Sequence, residues 1–250
     1  MSLLKIKRAE GVIPNVTWLS QETPLRLNKT ESVWFGFLAV DLKTEPRSAE
    51  LLIKFRPSGK KKVVTIKVKS KDYGVRRLTL PKKMVDLDKK TLERVRAESK
   101  KMKRLWVSPT LSPYWKGPFL KPVPGKVVGP FGRRSMINDQ PRSPHSGVDL
   151  KAARGTPVKA TNNGKVVLTA NHFFTGHTIV IDHGSGILSM YFHLSGIDVH
   201  EGALVNKAQI IGQVGSSGRS TGPHLHWGVR VLGMRVDPLG LTALSEQLEE

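Results

Sequence analysis

At 250 residues the chain can bury a core without covalent staples, as one large or two ordinary domains. It has no cysteine, which excludes disulfides, thiolate zinc sites and cysteine nucleophiles and leaves histidine and carboxylate for any metal site. The net charge of +21 is uneven, with 29 Lys/Arg against 11 Asp/Glu up to Gly125 and 12 against 9 beyond it, and no apolar run approaches the roughly 20 residues of a membrane span.

The start, "MSLLKIKRAEG", lacks the apolar stretch of a signal peptide. From about Val12 to Leu87, short alternating runs such as "SVWFGFLAV", "AELLIKFR" and "VVTIKVK" are separated by turn clusters, which predicts a small all-β sandwich, Ig-like in class, over residues 1–87. The basic excess belongs to the first half of the chain, up to Gly125, and suits a polyanionic partner. Nucleic acid is disfavoured, because "KKKVVTIKVKSK" has neither interleaved aromatics nor a binding motif and describes a solvated strand face. Asp88 is placed to cap a helix whose apolar residues Leu92, Val95, Met102 and Leu105 form a narrow stripe, so residues 88–105 read as a helical connector lying on a domain surface. Five prolines between Pro113 and Pro130 then predict extended chain leading into a second domain, 106–250.

The second domain reads as antiparallel β. An Asn163-Gly164 turn precedes a strand, "HTIVIDHGSGILSMYFHLS" is a hairpin turning at Gly184 to Gly186, and "HLHWGVRVLGMRV" is another turning at Gly233. Side chains two apart on a strand share a face about 7 Å apart, so His224 and His226 of "GPHLHWGV" can converge on one object such as a metal ion. His145 and Asp149 of "SPHSGVDL" offer a carboxylate and a further imidazole. In an extended strand they would lie roughly 13 Å apart, too far to share an ion. Either a helix from Ser143 to Gly155 or a curl at Ser146-Gly147 brings them together, and both remain open at this point.

Taken together, "HSGVDL", "YFHLS" and "VGSSGRSTGPHLHWGV", in that order, resemble the lysostaphin/LytM-type zinc endopeptidases that cut peptidoglycan cross-links, over residues 120–240. The resemblance implies a mainly β metallopeptidase domain with Zn2+ held by His145, Asp149 and His226, and with His193 and His224 as uncoordinated catalytic histidines. It implies peptidoglycan stem peptides or cross-bridges as substrate, and an extracytoplasmic site of action in the periplasm or cell envelope. A signal peptide or anchor upstream of this sequence is then expected. The basic first domain would hold the enzyme on an anionic envelope or cover the groove. The competing class is a non-enzymatic relative of the same fold that regulates another wall hydrolase; such relatives typically lose metal ligands, and here all five positions are filled.

The remaining candidates are read as structural. His183 is assigned to a turn and His200 to the surface, while His172 and His177 flank a loop beside the groove. Tyr191 is expected to share a strand face with His193, in the core or at the rim of the site. "GRSTG" fits a serine-hydrolase elbow with Ser220 as nucleophile, but such an elbow needs a helix to follow, and Pro223 and a strand pattern follow instead. Gly212, Gly215, Gly218 and Gly222 lack the Lys-Ser or Lys-Thr of a phosphate loop and read as a tight loop bordering a groove.

Overall fold

The computed structural model describes residues 1–79, 87–107 and 110–248. Its first part consists of β1 (Ser2–Lys7), β2 (Ile13–Trp18), β3 (Gln21–Thr23), β4 (Arg26–Asn28), β5 (Val33–Leu38), β6 (Arg47–Arg56), β7 (Lys61–Val68) and β8 (Val75–Leu78). Two antiparallel sheets, in the orders β1-β5-β4 and β3-β2-β6-β7, face one another across Val16, Trp18, Leu38, Leu51 and Ile53. This is the expected sandwich, and strand alternation produces it: Val16 lies opposite Ile53 and Trp18 opposite Leu51, all inward. The lysine-rich run is the edge strand β7, where Val64, Ile66 and Val68 lean on that core and Lys61, Lys62 and Lys67 face water. Charge on an edge strand also discourages pairing with other chains. Residues 80–86, the end of the expected first domain, lie outside the described residues.

The second part begins with α1 (Lys89–Val107), capped as expected by Asp88, whose carboxylate accepts from the Thr91 N–H at 2.8 Å. There follow β9 (Val127–Gly129), β10 (Arg134–Ile137), β11 (Gln140–Arg142), β12 (Gly147–Lys151), β13 (Pro157–Lys159), β14 (Gly164–His172) and β15 (Gly176–Gly184). The chain closes with β16 (Ile187–Ile197), β17 (Leu204–Val205), β18 (Ile210–Val214), β19 (His224–Val231), β20 (Met234–Val236) and α2 (Pro238–Ser245). A ten-stranded sheet runs β17-β14-β15-β16-β19-β12-β9, with β13, β18 and β20 attached at its flanks. The hairpin turns fall where the glycines predict them, with positive φ at Gly184, Ser185 and Gly186 and at Leu232 and Gly233. The helix α2 was not expected, although Asp237 before Pro238 is a legible start signal and its carboxylate accepts from the Leu239 N–H.

Both faces of the large sheet are covered, which is why β15 and β16 read as nearly continuous apolar runs. One face packs Leu150, Tyr191, Leu225 and Trp227 against Trp115 and Phe119 of the proline-rich passage. The other packs Leu168, Val180, Met190 and Phe192 against Met102, Leu105 and Trp106 of α1. No residue of α1 is fully buried, as its narrow stripe predicts. The sandwich is tied to this body by Phe35 and Phe37 against Trp115, at 6.1 and 5.9 Å between ring centroids, and by the ion pair between Asp41 and Arg235. No helix among the described residues is long and apolar enough to cross a membrane.

His183 departs from its expected place in a turn: it is fully buried near the end of β15. Its Nδ1–H donates to the Asn163 carbonyl at 2.7 Å, so the neutral ring's Nε2 accepts from the Ser189 hydroxyl at 2.7 Å. The Ser189 and Tyr191 hydroxyls lie 2.9 Å apart, and Tyr191 accepts from the Thr161 N–H. Burial pushes the His183 pKa down from 6.5 to about 4. The unfolded chain therefore takes up a proton below pH 6.5 that the folded chain refuses. The penalty is absent above pH 6.5, grows as pH falls, and levels off below about 4 at about 3 kcal/mol. Denaturant unfolding between pH 7.5 and 4.5 is expected to show a steeper loss of stability in the natural chain than in His183→Gln. The difference should approach about 1.4 kcal/mol per pH unit, and parallel pH profiles would exclude the effect.

Candidate functional site

Strands β16, β19 and β12 lie side by side, with Phe192 and Asp149 on either side of His226. Alternation along β19 puts His224, His226, Gly228 and Arg230 on one face. His145 reaches that face by a curl, which decides between the two geometries the sequence left open: it precedes β12, and its backbone is pinned by His145 N–H to the Arg133 carbonyl and Gly132 N–H to the His145 carbonyl, both 2.9 Å. Glycine at 147 is what permits the approach, because a Cβ there would collide with the Trp227 carbonyl and sit 2.8 Å from His226 Nε2.

The curl brings His145 Nε2, Asp149 Oδ1 and His226 Nδ1 into a triangle with every side 3.0 Å. These three are the group that could hold a metal ion among the described residues. His145 Nδ1–H donates to the Pro130 carbonyl at 3.0 Å, so its Nε2 presents a lone pair to the triangle. A carboxylate oxygen and imidazole lone pairs thus converge on one point, an arrangement that a cation satisfies. Ligands about 2.0–2.1 Å from a tetrahedral zinc stand about 3.3 Å apart, so the triangle fits such an ion after an adjustment of a few tenths of an ångström. Burial opposes ionisation of Asp149, but the two imidazoles, which hydrogen-bond to it when protons rather than an ion occupy the triangle, outweigh it and hold the carboxyl far below the usual carboxylate range. Burial likewise pushes His145 down, yet the Asp149 carboxylate brings it above its ordinary value, whereas for His226 burial prevails and the net shift is downward.

His193 and His224 stand beside the triangle with their ring centroids 4.9 Å apart. Each gives its Nδ1–H to a backbone carbonyl at 2.8 Å, Ser217 for His193 and Gly222 for His224. Both therefore leave Nε2 free to accept a proton; that of His224 lies 3.8 Å from Asp149 Oδ1. Burial foremost, then the neighbouring His226, pushes the His193 pKa down to about 4, so its ring is neutral at neutral pH.

His193 reaches this face through a backbone exception. Its φ of 65° breaks the alternation of β16, so Phe192 and His193 both serve the site. The expectation that Tyr191 shares a face with His193 is thereby corrected: Tyr191 is fully buried in the opposite core. Phe192, which the sequence reading passed over, stacks flat on His226 at 5.1 Å and 4°. The carbonyls of Pro130, Ser217 and Gly222 that orient the rings leave no signal in a sequence.

The loop at the β14–β15 turn buttresses His193. The Thr175 carbonyl accepts from the His193 N–H, and Gly176 packs against Ser217 closely enough that no side chain would fit. Helix α1 grips the same loop, with Glu98 accepting from the Phe173 N–H at 2.9 Å and Arg94 donating to the Asn171 carbonyl at 2.9 Å. His172 lines a cavity beside α1, and His200 is exposed as expected. In "GRSTG" the Ser220 hydroxyl donates to the Gly222 carbonyl, and His224 Nδ1, 3.3 Å away, already carries a proton aimed at that same carbonyl. The imidazole beside Ser220 thus cannot act as its base from that nitrogen, and β19 rather than a helix follows.

The model of peptidase family M23 matches residues 143–238. Peptidoglycan DD-endopeptidase ShyA of Vibrio cholerae serotype O1 is 43% identical over 97 residues, covering 39% of this chain and 23% of that protein. DD-carboxypeptidase/endopeptidase Mpg of Neisseria meningitidis serogroup B is 35% identical over 125 residues, covering 50% of this chain and 29% of that protein. The chain thus spans less than a third of the length of these curated relatives. A crystal structure from Pseudomonas aeruginosa assigned to peptidase M23 superposes with a TM-score of 0.75 at 28% identity, covering 99% of this chain and 94% of that one. With the His-Asp-His triangle carried on the matching segment, this chain belongs to peptidase family M23.

Proposed function

We propose that this chain is a zinc-dependent endopeptidase that hydrolyses peptide cross-links of bacterial peptidoglycan in the periplasm or cell envelope. His145, Asp149 and His226 hold the ion, and His193 and His224 handle protons. The observation that carries the reading is the triangle of lone pairs with two further imidazoles oriented beside it. The likeness to ShyA, a peptidoglycan DD-endopeptidase, supports the substrate class, and that to Mpg, a DD-carboxypeptidase/endopeptidase, supports the reaction.

Zinc, when bound, supplies an acidified water and a Lewis acid for the scissile carbonyl. The remaining work falls to this chain. His145 is locked in the metal-binding tautomer by the Pro130 carbonyl, and Phe192 holds the plane of His226. The free Nε2 atoms of His193 and His224 face the same space, where a neutral ring accepts the water's proton and an imidazolium donates to the leaving amine. The division into residues 1–87, 88–105 and 106–250 is our proposed domain plan, with the basic first unit holding the enzyme on an anionic envelope.

Incubation of the full chain with purified sacculi, followed by mass spectrometry of released muropeptides, tests this. Loss of cross-linked dimers is expected, abolished by chelator and restored by zinc, together with sedimentation onto sacculi that weakens as salt rises. Dimers that persist with zinc-loaded protein would refute the endopeptidase reading and favour a non-enzymatic regulator. Cleavage that resists chelation but is lost in Ser220→Ala would favour the serine alternative.

A further inference from the structure

The face of β19 that carries His226 continues past the metal triangle. Gly228 comes next and then Arg230, about 13 Å from His226 at strand pitch. Gly228 is flanked by Gly147 on β12 and Met190 on β16, and its missing side chain lets the Met190 Cε and the Ser146 carbonyl lie over it, so the open space runs as a trough along β16 beside them. Met190 and Phe192 floor this trough, Met102 and Trp106 of α1 wall it, and its lining includes Ser146, the neighbour of His145, and Phe192, which stacks on His226. The half-open cavity measures about 450 Å³.

At its far end lies Arg230. Its guanidinium sits 4.5 Å over the Trp106 ring, and its Nη1 donates to the Gly233 carbonyl. Its Nε is buried without a hydrogen-bond partner. None of these contacts supplies a negative charge, and buried cations are ordinarily paired. The chain's own acids nearby are engaged: Asp41 by Arg235, and Glu98 by Arg94 and the Phe173 N–H. Lys103 and Arg235 also line the cavity, so its charge is cationic, with Glu98 the one acid among its lining residues. Burial lowers the Arg230 pKa to about 10, which still leaves it charged at neutral pH.

We propose that this trough binds a free carboxylate of the peptide substrate. An extended chain with its scissile bond at the metal triangle runs over Phe192 and Met190, beside β19, and a carboxylate within about four residues of that bond pairs with Arg230. The inference rests on the endopeptidase reading and adds a charge requirement to it. The carboxylate is either the peptide's C-terminus or an acidic side chain, both of which present the same two oxygens to a guanidinium.

The test compares cross-linked peptide dimers bearing free carboxylates with dimers amidated at the C-terminus or at the side chain, using the zinc-loaded full chain. The free acid is expected to exceed one of the two amides in kcat/KM by on the order of tenfold to a hundredfold, mainly through KM, and that amide identifies the group bound. In Arg230→Gln the preference should fall to within about twofold, with Arg230→Lys keeping part of it. Equal cleavage of acid and both amides by the natural chain overturns the proposal without any variant having to fold, as does an undiminished preference in a folded Arg230→Gln. Calorimetry on the metal-depleted chain with the same peptides provides an arm that needs no catalysis. Binding of the acid but not of one amide supports the trough even where hydrolysis fails, an outcome that would sink the endopeptidase reading instead, and equal binding of acid and amides overturns the trough.

Discussion

Asp149→Asn is expected to strip the chain of zinc and to reduce peptidoglycan cleavage to background. Asp149 supplies the one negative charge among the three converging groups, and its Oδ1 lies 3.0 Å from the ligand nitrogen of each histidine. Asparagine keeps the size and the place in β12 but presents a neutral oxygen or an N–H, so the lone pairs of two imidazoles are left to hold the ion alone. Loss of outer hydrogen-bond partners of metal ligands commonly costs ten- to a hundredfold in affinity, and loss of the ligand charge itself should exceed about a hundredfold. Elemental analysis after dialysis at low free zinc, alongside sacculus digestion, checks this. Retention of one zinc per chain in Asp149→Asn would remove the triangle from the proposed mechanism.

His224→Ala should behave in the opposite way, keeping its zinc while kcat falls by about a hundredfold to ten-thousandfold. Its ring stands outside the triangle, with Nε2 3.8 Å from Asp149 Oδ1 and Nδ1 committed to the Gly222 carbonyl, so in the proposed mechanism its removal takes away a proton carrier and no ligand. His193→Ala is expected to do the same, and the double variant to be little worse than either single one, because residues that act as a unit in taking up and delivering protons fail together. Ser220→Ala should retain most activity. Metal content measured beside kcat separates the outcomes: zinc lost with His224 would make it a ligand, and activity within tenfold of the natural chain would remove it from catalysis.

The chemistry of the site was legible because it depends on residue type and strand parity. With cysteine absent, histidine and carboxylate were the donors left for a metal, and two-residue spacing placed His224 and His226 on one face wherever β19 came to lie. The hairpins at Gly184–Gly186 and Gly233 were equally local, since a positive φ is cheapest at glycine. The cap at Asp88 was visible for the same reason, and the one at Asp237 was visible but passed over.

Parity failed where the backbone left it. His193 takes a left-handed conformation that its neighbours impose, with the Thr175 carbonyl on its N–H and the Ser217 carbonyl on its ring, and no local pattern encodes contacts made from other strands. Likewise Arg230 reads in sequence as an ordinary polar position on a strand, and its partial burial under Trp106 exists only once α1 packs across the large sheet. The sequence by itself determined the donor set, the strand faces and the turn positions, because each follows from steric and bonding preferences within a few residues. Only the tertiary structure decided how His145 reaches Asp149, which way His193 points and where a half-buried cation sits without an acidic partner, because those depend on backbone carbonyls and packed rings supplied by distant segments.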